Sequence, residues 1–166
     1  RVKPSPEVLV FSRRKSIIIF FRRGLLIFFM NYLLLLIIIN SILVGVILMT
    51  QILSYPLLLK VSKGNFYDYY NSYTKRISFI VMPLMIFEVF LSVSLNIISN
   101  NFYVFASNIL LLIIWGSTFF IQVPIHNKLS SNHSYQLINK LIFSNWIRTV
   151  AWICKLVTLL KLRMIL

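Results

Sequence analysis

The 166-residue chain is short of most of what a soluble enzyme is built from. It has one cysteine, Cys154, which rules out an intrachain disulfide and a CxxC redox pair. Membrane enzymes that run a disulfide relay are therefore disfavoured. No P-loop, GxSxG, HExxH or dinucleotide fingerprint is present, so no signature-defined enzyme class is indicated, and no internal repeat is evident. Charged residues make up only 12% of the chain, about half the share usual in soluble domains. Alanine occurs only at Ala106 and Ala151, while Ile, Leu, Asn, Phe and Lys abound. That skew matches an AT-rich coding bias, so a single Asn or Ile carries little weight.

What remains is apolar and basic. Hydrophobic residues form 59% of the chain, against about 45–50% in soluble domains, which favours lipid as the solvent. Three acids face 17 Lys and Arg, a net charge of +14. Nucleic acid and anionic lipid headgroups are the two partners that such a surplus suits. The basic residues flank apolar runs, which selects headgroups and disfavours nucleic acid.

The pattern predicts an all-α integral membrane four-helix bundle with a basic N-terminal arm. Residues 1–23 are the arm. Pro4 and Pro6 argue against helix at its start, and Arg13, Arg14 and Lys15 form one basic cluster, Arg22 and Arg23 another. Ser16 to Phe21 reads as an interfacial segment, with Phe20 and Phe21 in the headgroup layer. The chain starts at Arg1 rather than Met, as a processed or partial product would. No small-residue cleavage signature lies near the first apolar run, so that run is expected to be retained.

Residues 24–166 hold the spans, at about 30–56, 77–98, 102–123 and 141–160; the last three are close to the roughly 20 residues that a bilayer requires, and the first is longer, so it should tilt or project beyond the hydrocarbon. The first belongs to an uncharged run from Gly24 to Leu59, kinked or ended by Pro56. The second carries Pro83 and Glu88, and the third ends at Pro124. The short link Ser99-Asn100-Asn101 makes the second and third an antiparallel hairpin. The fourth contains Arg148 and Lys155, so a surface amphipathic helix is its rival reading. In the loop 60–76, Phe66, Tyr69, Tyr70 and Tyr73 recur at helical spacing, as a short interfacial helix or a tyrosine-rich loop. Four spans put both termini on one side, with nine basic residues against six on the other. The positive-inside rule then places the termini in the cytoplasm, or in the matrix or stroma of an organelle.

Polar residues inside spans are expensive and therefore informative. Asn40, Gln51 and Tyr55 share one face of the first helix, and Glu88 and Ser92 one face of the second. Asn108, Trp115 and Gln122 recur at seven-residue intervals on the third. Asn145, Arg148, Thr149, Trp152 and Lys155 form one stripe on the fourth. Turning these faces inward makes a polar bundle interior. Ser41 and Gly45 form a small-xxx-small step that admits a neighbouring helix. Gln51, Tyr55, Gln122, His126 and Arg148 should gather towards the non-cytoplasmic end.

Glu88 needs a partner or a proton in hydrocarbon. Arg148 is its first candidate partner and Lys155 its second. The carboxylate is either proton-active or ligand-orienting, or a buried ion pair that fixes helix register. His126 could ligate a metal or haem or shuttle protons, but with only His133 seven residues on it makes no metal site. A hydrogen-bonded interfacial histidine is the simpler reading. The sequence names no cofactor.

The segment Gln122-x-Pro124-x-His126-x-x-Leu129, followed by Asn145-Trp146-x-Arg148-Thr149-x-x-Trp152, resembles small bacterial four-helix membrane proteins distantly similar to the anthrone-oxygenase-like family. Tyr55-Pro56-Leu57 and Thr74-Lys75-Arg76-Ile77-Ser78, leading to Pro83 and Glu88, fit the same resemblance, which covers about residues 50–155. It implies a four-helix membrane fold and little about activity.

The leading expectation is a non-catalytic membrane protein that binds a lipid or hydrophobic ligand, or serves as an accessory subunit of a membrane complex or a homo-oligomer. The alternative is a membrane oxidoreductase or oxygenase acting on a lipophilic aromatic or quinone, with Glu88 or His126 as acid–base group and Arg148 holding an oxyanion. Either way the polar-interior candidates are Gln51, Tyr55, Glu88, Gln122, His126, Asn145, Arg148 and Trp152. Proton-coupled transport is a third reading, weakened by the lack of an inverted repeat.

Overall fold

The computed structural model describes the backbone of residues 6–166 and the side chains from residue 23 onward. The expectations for the Ser16–Phe21 side chains and for Pro4 lie outside the described residues. Those residues form helices throughout, with no strand, arranged as four antiparallel rods.

The first rod is α1 (Pro6–Met49), a π-helical turn (Thr50–Ser54) and α2 (Tyr55–Leu58). Helix begins at Pro6, where a missing N–H costs nothing because the first turn's donors have no intrahelical acceptor. The second rod is α3 (Lys63–Ile98). It starts 14 residues before Ile77, so the aromatic segment expected as a separate interfacial helix or a loop is the first part of this rod. The third rod is α4 (Phe102–Ser117), a second π-helical turn (Thr118–Gln122) and α5 (Val123–Leu129). It does not stop at Pro124. The fourth is α6 (Tyr135–Ile165). Asn101 caps α4 by accepting from the Tyr103 N–H at 2.8 Å, and Ser134 does the same for α6 from the Leu137 N–H at 3.5 Å.

The two π-turns have one cause. Pro56 and Pro124 each lack an N–H, and each ring crowds the carbonyl four residues back. An extra residue in the turn relieves the crowding. Tyr55 N–H reaches the Thr50 carbonyl and Val123 N–H the Thr118 carbonyl, both five residues back. At the head of each turn a threonine hydroxyl bonds the carbonyl four residues earlier, Thr50 to Val46 at 2.8 Å and Thr118 to Ile114 at 2.7 Å. Both turns lie towards the end of the bundle that carries the 59–62 and 130–134 links.

α4 packs most extensively on α6, which in turn packs on α1; α1 packs on α3, and α3 on α4. The rods thus form a ring in chain order, closed by α1 and α6. The core is two apolar clusters. One, at the link end, centres on Leu58, Phe66, Tyr70, Leu129, Ile138 and Leu141; the other, further along, on Leu33, Leu36, Leu95, Ile114 and Leu159.

The surface is inverted relative to a water-soluble protein. Phe79, Ile97, Phe120, Phe143 and Met164 are all at least 80% exposed, while Asn40, Glu88, Asn145 and Lys155 are wholly buried. Soluble monomers rarely expose contiguous apolar surface on this scale. Three stretches, Arg23–Leu58, Lys63–Ile98 and Phe102–Leu129, are long and apolar enough to cross a membrane; an 18-residue segment within each has a mean hydropathy of 2.8, 2.1 and 2.0 respectively. α6 turns Asn145, Arg148, Trp152 and Lys155 inward and leaves Phe143, Ile147, Val150, Val157 and Met164 outside. Ser41 and Gly45 face outward, not into the bundle, and nothing lies within 4 Å of a Cβ built on Gly45.

Candidate functional site

The inward polar residues sort into two constellations. The deeper one surrounds Glu88. Lys155 Nζ stands 2.7 Å from Glu88 Oε1, and neither side chain has any exposed surface. Asn40 Nδ2 donates to the same oxygen at 2.7 Å, and Trp152 Nε1 donates to Oε2 at 3.3 Å. Lys155 also donates to Ser92 Oγ at 3.0 Å. The α3 carboxylate is thus held from two other rods, α1 and α6. Its partner is Lys155; Arg148, the first candidate from the sequence, is about two turns nearer the link end.

Arg148 belongs to the second constellation. Its guanidinium carbon lies 5.1 Å from the Trp152 ring centroid, a cation–π contact. Among the described residues it makes no ion pair, and its buried Nε has no acceptor. Only 8% of the residue is exposed. The exposed remainder faces a cavity of about 430 Å³ between α3 and the other three rods. Leu43, Val46, Ile47, Val81, Met82 and Met85 make its apolar wall; Tyr55, Tyr70, Tyr73, Gln122, His126 and Arg148 lie on its polar side.

A histidine bridges two tyrosines on that polar side. Tyr70 Oη is 2.6 Å from His126 Nδ1, and Tyr55 Oη is 3.2 Å from His126 Nε2. A neutral imidazole offers one donor and one acceptor. The shorter contact fits O–H donation from Tyr70 to Nδ1, which leaves Nε2–H to donate to Tyr55. Tyr55 then accepts from the ring and keeps its own proton free. The π-turns position this group: the first rod's turn carries Thr50 and Gln51 and leads into Tyr55, and the third rod's carries Gln122 and leads into His126.

Beside the second constellation the helices are joined by amides. Asn145 Nδ2 donates to Gln51 Oε1 at 2.8 Å, and Gln51 Nε2 to the Ile142 carbonyl at 3.0 Å. Gln122 Nε2 donates to Ser144 Oγ at 3.1 Å, while Gln122 Oε1 has no partner. Gln51 and Asn145 therefore tie the first rod to the fourth and are not among the cavity's walls.

Of the eight sequence candidates, Tyr55, Gln122, His126, Arg148 and Trp152 line the cavity, Gln51 and Asn145 clamp helices beside it, and Glu88 sits in the deeper cluster. Tyr70 was not among them. Its spacing from Phe66 and Tyr73 signalled a helical face, which in a belt helix would point to headgroups; in the continuous α3 it points to His126. No group of three or more His, Cys, Asp or Glu side chains that could hold a metal occurs among the described residues.

No protein-family model, curated protein or solved structure matches the chain.

Proposed function

We propose that this chain is a four-span integral membrane protein whose interior cavity binds a lipophilic small molecule. The observation that carries the reading is the cavity itself. Its volume of about 430 Å³ falls in the range of roughly 300–1,000 Å³ typical of small-molecule sites. Its α1–α3 wall is apolar, its other lining carries polar groups that include Arg148, His126, Tyr55 and Lys75, and the outer surface around it is greasy. α6 supplies the fourth span, since the two cations of its middle, Arg148 and Lys155, point inward and the outer side of that stretch is apolar. The termini face the cytoplasm, matrix or stroma, where the arm's basic residues meet anionic headgroups. An accessory role in a larger membrane complex adds to this reading, because the outward Ser41–Gly45 step leaves room for another helix.

The test is binding of the neutral fluorescent probe N-phenylnaphthylamine to protein in phosphatidylcholine nanodiscs, against empty nanodiscs. Saturable binding, abolished by filling the cavity with Val46→Trp, is expected. Binding no greater than in empty nanodiscs sinks the reading.

The oxidoreductase alternative draws on one observation, the Tyr70–His126–Tyr55 chain at the cavity's polar end. In that reading His126 is the acid–base group and Arg148 holds the oxyanion, while Glu88, fully engaged by Lys155, Asn40 and Trp152, takes no part. It requires a chromophore or quinone-like molecule to accompany the purified protein, visible in its absorption spectrum.

A further inference from the structure

Buried cations in a membrane bundle are normally paired, and this chain contains both outcomes. Lys155 and Arg148 are neighbours on the inner face of α6, seven residues apart. Lys155 has its carboxylate. Arg148 has a tryptophan face and no acceptor, although 92% of it is buried. A guanidinium carries five N–H donors in a fixed fork that matches an oxyanion, and leaving such a group unpaired where it is largely buried is costly. The cost is removed if the missing acceptor arrives with a ligand.

Other groups converge on the same spot. Tyr55 and His126 line the same cavity as the guanidinium. Tyr55 accepts from the imidazole and keeps one O–H to give. Tyr73 also lines the cavity, as does Gln122, whose buried Oε1 has no partner. Opposite them, Leu43, Ile47, Val81 and Met85 form the apolar wall.

We infer that the cavity takes an amphiphile with an oxyanion head, a carboxylate or phosphate ester, whose oxygens accept from Arg148 and the Tyr55 hydroxyl while its hydrocarbon lies along the α1–α3 wall. This rests on the lipophilic-ligand reading above and specifies its head group. No proton transfer is needed: the charge that balances the head is the guanidinium's, with Lys75 a second cation in the cavity lining.

Displacement of N-phenylnaphthylamine from wild-type nanodiscs at mildly alkaline pH tests it. Palmitate and hexadecyl phosphate should displace the probe at concentrations about tenfold or more below those of hexadecanol, as loss of a charge-assisted hydrogen-bonded pair implies. Arg148→Gln should erase that advantage, and Arg148→Lys should keep most of it. Tyr55→Phe should weaken palmitate and leave hexadecanol unchanged. If hexadecanol matches palmitate on the wild-type protein, the head-group assignment is wrong while the lipophilic site stands. If inorganic phosphate weakens palmitate binding as strongly as hexadecyl phosphate does, the site takes free anions and the amphiphile is wrong. If the neutral probe itself does not bind, both readings fall. The wild-type comparison needs no variant, so a misfolded Arg148→Gln does not protect the proposal.

Discussion

Lys155 Nζ and Glu88 Oε1 meet at 2.7 Å in the bundle interior, both without exposed surface. Removing one member leaves the other charge buried and alone, which in proteins typically costs about 3–5 kcal/mol. Lys155→Met and Glu88→Leu are therefore each expected to lower the thermal midpoint in detergent sharply. The double variant should be far less destabilised than the sum of the two, because it leaves no orphaned charge. Additive losses would show that the pair is not coupled.

The histidine bridge makes a spectroscopic prediction. With Tyr70 donating to Nδ1, the His126 proton sits on Nε2. Side-chain nitrogen NMR of the labelled protein should show a protonated Nε2 and an unprotonated Nδ1, and Tyr70→Phe should relax that preference. The opposite tautomer in the wild-type protein would reverse the donor order and remove the free Tyr55 proton.

Cys154 tests the fourth span without any engineering. It is the chain's one cysteine and faces outward from α6. In a spanning helix that thiol is in hydrocarbon. A charged maleimide should fail to label it in permeabilised membranes and label it readily in dodecyl sulfate, while a Cys154→Ser variant with Ser131→Cys in the exposed link should label in both. Rapid labelling of Cys154 in membranes would place α6 outside the bilayer.

Much of this architecture could be read from the sequence, because bilayers enforce long apolar runs and make every interior polar residue conspicuous. The inward faces of Asn40 and Gln51, Glu88 and Ser92, and Asn145 through Lys155 follow from helical spacing alone. The partner of Glu88 did not, and the reason is where two helices start. Counted from Ile77 and Leu141, Glu88 is 11 residues deep, Arg148 7 and Lys155 14, so depth did not separate the two cations and the long reach of the Arg148 side chain put it first. Counted from the observed starts, Glu88 is 25 residues beyond Lys63, Lys155 is 20 beyond Tyr135 and Arg148 only 13. The early start of α3 was hidden by its first turns, in which Lys63, Asp68, Lys75 and Arg76 suppress any apolar signal. Pro124 misled differently. A proline usually ends a helix, but a π-turn absorbed it and carried His126 onto the same rod. The Ser41–Gly45 step was visible, but its outward direction depends on packing that spacing does not encode.

The central claim is that a lipophilic molecule occupies the cavity that Arg148 closes at one end. Native mass spectrometry of the protein, purified gently from its source membrane, tests this most directly. The account predicts a stoichiometric adduct of an anionic amphiphile on the wild-type chain, absent from Val46→Trp and depleted in Arg148→Gln. A bare chain, or adducts that persist unchanged in both variants, would contradict it.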